Sequence, residues 1–205
     1  MARILNVMRE TADGETSEQD LVRRARAGDR AAFEDLVRLH FTRIYAFLHR
    51  MIGNHEDAED LAQETFVRSW RSLEHYRGEA AFGTWLARIA LHLAHDRQRK
   101  LGRETLAKPL ESIALETVGA SPRAEEADTA EIAGRGELGR EVVRALDRLP
   151  PKLRAALVLR AIEGRDYGEV SEITGVKPAT ARTRVMQARK LLSGWLGPWL
   201  AKGAP

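Results

Sequence analysis

The sequence predicts an all-α chain built as two small helical domains joined by a flexible linker. Apolar residues recur at helical spacing through most of the 205 residues, glycine and proline fall at the breaks between those runs, and no strand-like alternation or internal repeat occurs. The hydrophobic content of 43% suffices for one large or two small cores, and the failure of the periodicity in mid-chain selects two. The predicted organisation is a disordered N-terminus over 1–16, a first domain over 17–100, a linker over 101–136, a second domain over 137–196 and a tail over 197–205.

Within the first domain, Ser17 is a predicted N-cap for a short helix that ends near Gly28, and Asp29 caps the next. That second helix keeps Phe33, Leu36, Val37, Ile44, Phe47 and Leu48 largely at helical spacing. Gly53 and Asn54 break and recap the chain, so a third helix runs from about His55 to Ser72 with Ala58, Leu61, Ala62, Thr65, Phe66 and Trp70 on one stripe. After a loop, His75 to Ala81, a fourth carries Phe82, Trp85, Leu86, Ile89 and Leu93 and ends in the basic run Arg97 to Lys100. The linker is acidic, poor in aromatics and studded with Ser121, Pro122, Gly134 and Gly136.

Periodicity returns over Leu138 to Leu149, breaks at Pro150 and Pro151, and resumes through Leu153, Leu157, Val158 and Ile162. The sharpest local pattern follows. Asp166 to Thr174 reads as a short helix with Tyr167, Val170 and Ile173 inward, Gly175 permits a tight turn, and Pro178 opens a second helix, which together make a helix-turn-helix. The tail with Trp199 and Leu200 reads as a packed helix end.

Composition excludes several function classes. Without cysteine there is neither a disulfide framework nor a thiolate zinc site. The N-terminus MARILNVMRE lacks the apolar core of a signal peptide, and no apolar run approaches the ~20 residues that span a bilayer, so a cytoplasmic protein with no membrane insertion is expected. Net charge is 0 over residues 1–100, −3 over 101–136 and +6 over 137–205, and a basic C-terminal segment suits a polyanion such as DNA.

Three constellations carry candidate chemistry. On the last helix Ala181, Val185, Ala188 and Leu192 share the packing face, so the opposite face presents Arg182, Thr183, Met186, Gln187 and Lys190, flanked by Lys177, Arg184 and Arg189. No acidic residue interrupts it from Lys177 to Lys190, and arginine for guanine, glutamine for adenine and flanking cations for phosphates are what a major-groove helix needs. The third helix is instead acidic, with Glu56, Asp57, Glu59, Asp60 and Glu64 outside its stripe. Those carboxylates could favour the helix dipole, ligate a hard metal or dock a basic partner, and composition does not choose. In the fourth segment Tyr76, Phe82 and Trp85 are interleaved with Arg77, Arg88, His92, His95, Arg97, Arg99 and Lys100, which suits unpaired bases: rings stack and cations track the backbone. His92 and His95, at i and i+3, are a sparse metal pattern, and neither a metal nor a cofactor is expected.

These residues carry a family resemblance. Asp57-Ala-Glu-Asp-Leu-Ala-Gln-Glu64, Phe82-Gly-Thr-Trp-Leu-Ala-Arg-Ile-Ala90, Leu149-Pro150, Tyr167-Gly-Glu-Val170 and Thr180-Ala-Arg-Thr-Arg184 resemble the second and fourth regions of extracytoplasmic-function sigma factors of the sigma-70 family, in the family's order and across about 160 residues. The resemblance implies a transcription initiation factor and no enzyme. It implies that the acidic helix, with Asp57, Asp60, Gln63 and Glu64, docks on the coiled coil of the largest subunit of RNA polymerase core. The melted minus-10 strand would be held by Tyr76, Arg77, Trp85, Arg88, His92, Arg97, Arg99 and Lys100. Promoter duplex at the minus-35 element would be read by Lys177, Thr180, Arg182, Thr183, Arg184, Gln187, Arg189 and Lys190. Members of this family are commonly held inactive by an anti-sigma factor, which makes one an expected partner.

The chain departs from the family pattern at three positions. His92 stands where asparagine is usual, Ala181 replaces valine, and Gln187 stands where arginine is frequent. His92 is therefore expected to help choose the minus-10 base: with Arg88, His95 and Arg99 it recurs on one side of its helix, away from the apolar stripe. Two rivals exist. A duplex-binding regulator would share the helix-turn-helix but has no need of Asp60-Leu-Ala-Gln-Glu64, and a metal-dependent hydrolase lacks histidine–carboxylate ligands that converge.

Overall fold

The computed structural model describes residues 17–107 and 136–201. The expected disordered N-terminus (1–16), most of the expected linker (108–135) and the end of the tail (202–205) lie outside the described residues. Among the described residues every regular element is helical, as expected.

The N-terminal helices are α1 (Glu18–Arg26), α2 (Arg30–Ile52), α3 (His55–Ser72) and α4 (Phe82–Ala107). The predicted caps form: Ser17, Asp29 and Asn54 accept backbone N–H groups of Asp20, Ala32 and Asp57 at 3.2, 3.1 and 2.9 Å. Each such cap stabilises its helix by about 1 kcal/mol. Between α2 and α3 Gly53 takes φ +76°, a left-handed value that a side chain resists, and this lets α3 fold back on α2. The periodic residues then meet: Leu36, Phe47, Leu48 and Met51 of α2 are buried with Ala58, Ala62 and Phe66 of α3 and Phe82, Leu86, Ala90 and Ala94 of α4. Burying a side chain such as Phe47 is worth about 1.5–3 kcal/mol, so this packing holds the bundle. Helix α4 runs seven residues past the expected end at Lys100, carried through Gly102 by the good helix formers Leu101, Arg103, Glu104, Leu106 and Ala107.

The C-terminal helices are α5 (Gly136–Asp147), α6 (Pro151–Leu157), α7 (Tyr167–Thr174) and α8 (Pro178–Ala201). A π-helical turn, Val158–Ile162, continues α6 and turns its last residues outward. Asp166 and Glu169 form a reciprocal capping box at α7, bonding each other's backbone N–H at 2.8 and 3.0 Å. Gly175 at φ +66° closes α7, and Pro178 is the first residue of α8, as the helix-turn-helix reading requires. Val170 and Ile173 are buried; Tyr167, expected inward, is only half-buried. At the far end of α8, the Trp195 ring is covered by the Arg148 guanidinium at 4.5 Å.

Candidate nucleic-acid interface

Because Ala181, Val185 and Ala188 are buried, the remaining face of α8 points outward by geometry. Thr180, Arg182, Thr183, Gln187, Arg189 and Lys190 are exposed together with Lys177 before the helix, while Arg184 is half-buried on its shoulder. Among the described residues no carboxylate pairs with Lys177, Arg182, Arg184, Arg189 or Lys190, so all five charges are available to phosphate or base. The Thr183 hydroxyl donates to the Ala179 carbonyl at 3.0 Å, which leaves its oxygen as an acceptor. Met186, 64% exposed in the middle of this face, offers apolar contact of the kind a thymine methyl takes.

A second candidate surface lies on α4 and the loop before it. The Tyr76 ring sits 5.1 Å from Trp85 and 5.6 Å from Phe82, and its hydroxyl donates to the Ala80 carbonyl at 2.6 Å, closing the loop on itself. Burial pushes the Tyr76 phenol above its ordinary range. A hollow of about 180 Å³ opens beside these rings, lined by Arg77, Trp85 and Arg88 among others. His92, Arg99 and Lys100 are exposed further along α4.

Three residues depart from the expected arrangement on this helix. Arg97 is half-buried and reaches Asp57 on α3 at 2.7 Å, so two residues assigned to different partners are paired with each other. His95 breaks the predicted outward row. It is half-buried, its Nε2 meets no partner, and burial holds its imidazole below the ordinary value, because successive outward positions rotate toward the bundle along a helix of 3.6 residues per turn. Arg88 is engaged from outside its domain: Nε and Nη2 donate to the Glu172 carbonyl of α7 at 2.9 and 2.6 Å.

On α3, Asp60 and Gln63 are exposed, and Glu64 holds Arg68 at 2.7 Å one turn on. Val67 lies 43% exposed along the same face. Among the described residues no group of three or more histidine, aspartate or glutamate side chains could hold a metal ion.

Sequence reasoning missed the residues that join the two helical groups. Glu163, beyond the π turn, receives Arg43 at 2.9 Å and Arg50 at 3.2 Å from α2. Arg165 is buried against Thr84 at 3.3 Å and bonds Glu169. Arg154, 8% exposed, donates to the Met51 carbonyl at 3.0 Å and pairs with Asp147, and burial lowers its affinity for its proton while raising that of Asp147. Only Arg154 leaves a trace in the sequence, as a charge inside the otherwise apolar run Leu153 to Leu159. The others depend on partners about a hundred residues away.

With this geometry in place, similarity to known proteins is specific. Residues 36–104 match the Sigma-70 region 2 family and residues 139–192 the Sigma-70, region 4 family. The ECF RNA polymerase sigma factor SigE of Mycolicibacterium smegmatis is 39% identical over 175 residues, covering 82% of this chain and 64% of that protein. The ECF RNA polymerase sigma-E factor of Haemophilus influenzae is 32% identical over 183 residues, covering 89% of this chain and 96% of that protein. Among solved structures, the sigma factor RpoE in complex with the anti-sigma factor NepR from Bartonella quintana superposes with TM-score 0.61 at 25% identity, over 80% of this chain and 96% of that one. CnrH in complex with the cytosolic domain of CnrY superposes with TM-score 0.65 at 22% identity, over 89% and 99%, a likeness of fold.

Proposed function

The chain belongs to the extracytoplasmic-function group of the sigma-70 family, and on that premise we propose that it binds RNA polymerase core through α3 and directs initiation by reading promoter DNA at two elements. Sigma factors initiate transcription and are not enzymes, so the chain binds and positions without catalysing. The observation that carries the reading is the outward face of α8 with Lys177 before it, five cations and three uncharged hydrogen-bonding side chains with no acidic residue among them, above a buried apolar stripe. In this account Lys177, Arg184, Arg189 and Lys190 hold phosphates of the minus-35 duplex, and Thr180, Arg182, Thr183 and Gln187 meet base edges. The loop and helix bearing Tyr76, Arg77, Trp85, Arg88, His92, Arg99 and Lys100 take the melted minus-10 strand, with rings for bases and cations for the backbone. Arg97 acts through Asp57, fixing α4 to α3.

The two elements, named for their positions, sit about 25 base pairs apart, or about 85 Å of duplex. Helix α7 touches α4 through Arg88 and Glu172, so reading both elements requires α7 to leave α4. Residues 108–135, fully extended, reach at most about 95 Å, which allows it. The solved RpoE structure from Bartonella quintana contains the anti-sigma factor NepR, and this supports an anti-sigma partner for this chain.

The reading is tested by binding to a DNA fork whose upstream half is duplex and whose minus-10 segment is unpaired. Chain and polymerase core together are expected to retain the fork, and neither alone. Equal retention by core alone would overturn the proposal, and equal retention by the chain alone on any duplex would favour a duplex-binding regulator.

A further inference from the structure

The Tyr167 ring faces two guanidiniums. The Arg182 carbon Cζ lies 5.1 Å from the ring centroid, and Arg160 lies at the same distance. Neither arginine has a carboxylate partner among the described residues; Arg160 instead donates to the Arg165 carbonyl at 3.1 Å. Tyr167 is the first residue of α7, anchored there by the Asp166–Glu169 capping box and by burial of Val170 and Ile173. The ring is therefore fixed by the first helix of the motif, and what rests on it belongs to the second.

We propose that Tyr167 is a positioning residue for promoter reading, an aromatic platform that holds the Arg182 guanidinium extended toward the minus-35 base edges before DNA arrives. This rests on the reading of Arg182 as a base contact and adds what fixes its direction. An arginine free in solvent samples many rotamers and loses that freedom when it binds, whereas a planar guanidinium already lying on a ring face loses less. The attraction is electrostatic, between the cation and the negative face of the ring, so phenylalanine serves nearly as well as tyrosine and an aliphatic side chain does not. Arg160, tied to the Arg165 carbonyl, restrains the ring in turn. The effect of the platform falls at the one base pair that Arg182 meets, since phosphate contacts from Lys177, Arg189 and Lys190 do not pass through it.

The test uses the full chain assembled with polymerase core on promoter fragments randomised across the minus-35 element, with bound fragments sequenced. Arg182→Ala is expected to flatten the preference at one position. Tyr167→Leu should reduce preference at that same position by about threefold to tenfold and spare the others, Tyr167→Phe should retain it, and Tyr167→Leu combined with Arg182→Ala should be no worse there than Arg182→Ala alone. Preference at that position unchanged in Tyr167→Leu would overturn the platform. So would a loss in Tyr167→Phe as large as in Tyr167→Leu, which would make the hydroxyl a DNA contact, or a uniform loss at all positions, which would make Tyr167 a folding residue. If Arg182→Ala itself changed no position, the assignment of Arg182 as a base contact would fall, and the platform with it.

Discussion

Arg88 of α4 is bonded twice to the backbone carbonyl of Glu172 on α7, from Nε at 2.9 Å and from Nη2 at 2.6 Å. A residue assigned to the minus-10 strand is thus occupied by the helix-turn-helix domain. The same junction buries Glu163, 9% exposed, between Arg43 and Arg50. Reversing that charge places a third cation beside the two arginines. Glu163→Lys should undock the C-terminal helices, seen as a larger radius of gyration in solution scattering with helix content kept, and should raise the affinity of the free chain for an unpaired minus-10 oligonucleotide. An unchanged radius with unchanged affinity would mean that the junction does not govern access to Arg88.

Helix α3 separates two kinds of polar side chain. Asp60 and Gln63 are exposed and Glu64 is half-exposed, so Gln63→Ala with Glu64→Ala should change stability by no more than about 0.5 kcal/mol while abolishing retention of polymerase core in a pull-down. Asp57 lies beside Arg97 at 2.7 Å, and Asp57→Ala should cost up to about 1 kcal/mol in urea unfolding as well. Full core binding by the double variant would remove α3 from the interface.

Stability should fall in mild acid. His40 is buried beside the Phe82 ring, and burial together with Arg43 and Arg165 lowers its pKa against the opposing pull of Glu18. His95 is lowered by burial, His92, Arg99 and Lys152, with Asp96 opposing. Both therefore take up protons more readily unfolded, near the usual ~6.5, than folded. Their contribution is intact above that pH and is lost as pH drops toward the folded values. The thermal midpoint should decline between pH 7.5 and 5, and His40→Gln with His95→Gln should flatten the decline. A midpoint that rises on acidification would contradict the burial of these rings.

His92, by contrast, is exposed on α4, where an imidazole can meet a base. His92→Asn should alter which base is preferred in a series of minus-10 oligonucleotides varied one position at a time, with affinity for the others little changed. An identical preference profile would leave His92 as a surface residue without a reading role.

Local signals were legible and distant ones were not. The caps Ser17, Asp29 and Asn54, the breaks at Gly53 and Gly175 and the start at Pro178 all follow from backbone chemistry within four residues. The exposed face of α8 follows equally from the spacing of Ala181, Val185 and Ala188. Arg97 and Asp57 each look like surface charges in sequence; only the crossing of α3 and α4 makes them a pair. His95 shows the limit of periodicity, since a half-buried position at the edge of a stripe has the same spacing as an exposed one. The joining contacts of Arg43, Arg50 and Glu163 depend on how two domains meet, and no local pattern encodes that.

Promoter choice by RNA polymerase is the property that this chain is proposed to confer. It is tested most directly by transcription in vitro from a fragment library of the source genome, with core polymerase in the presence and absence of the chain, and sequencing of the transcript 5′ ends. Chain-dependent start sites are expected that share two sequence elements at a fixed spacing upstream, lost when Gln63→Ala and Glu64→Ala are combined and shifted in the upstream element by Arg182→Ala. Start sites identical with and without the chain would contradict it.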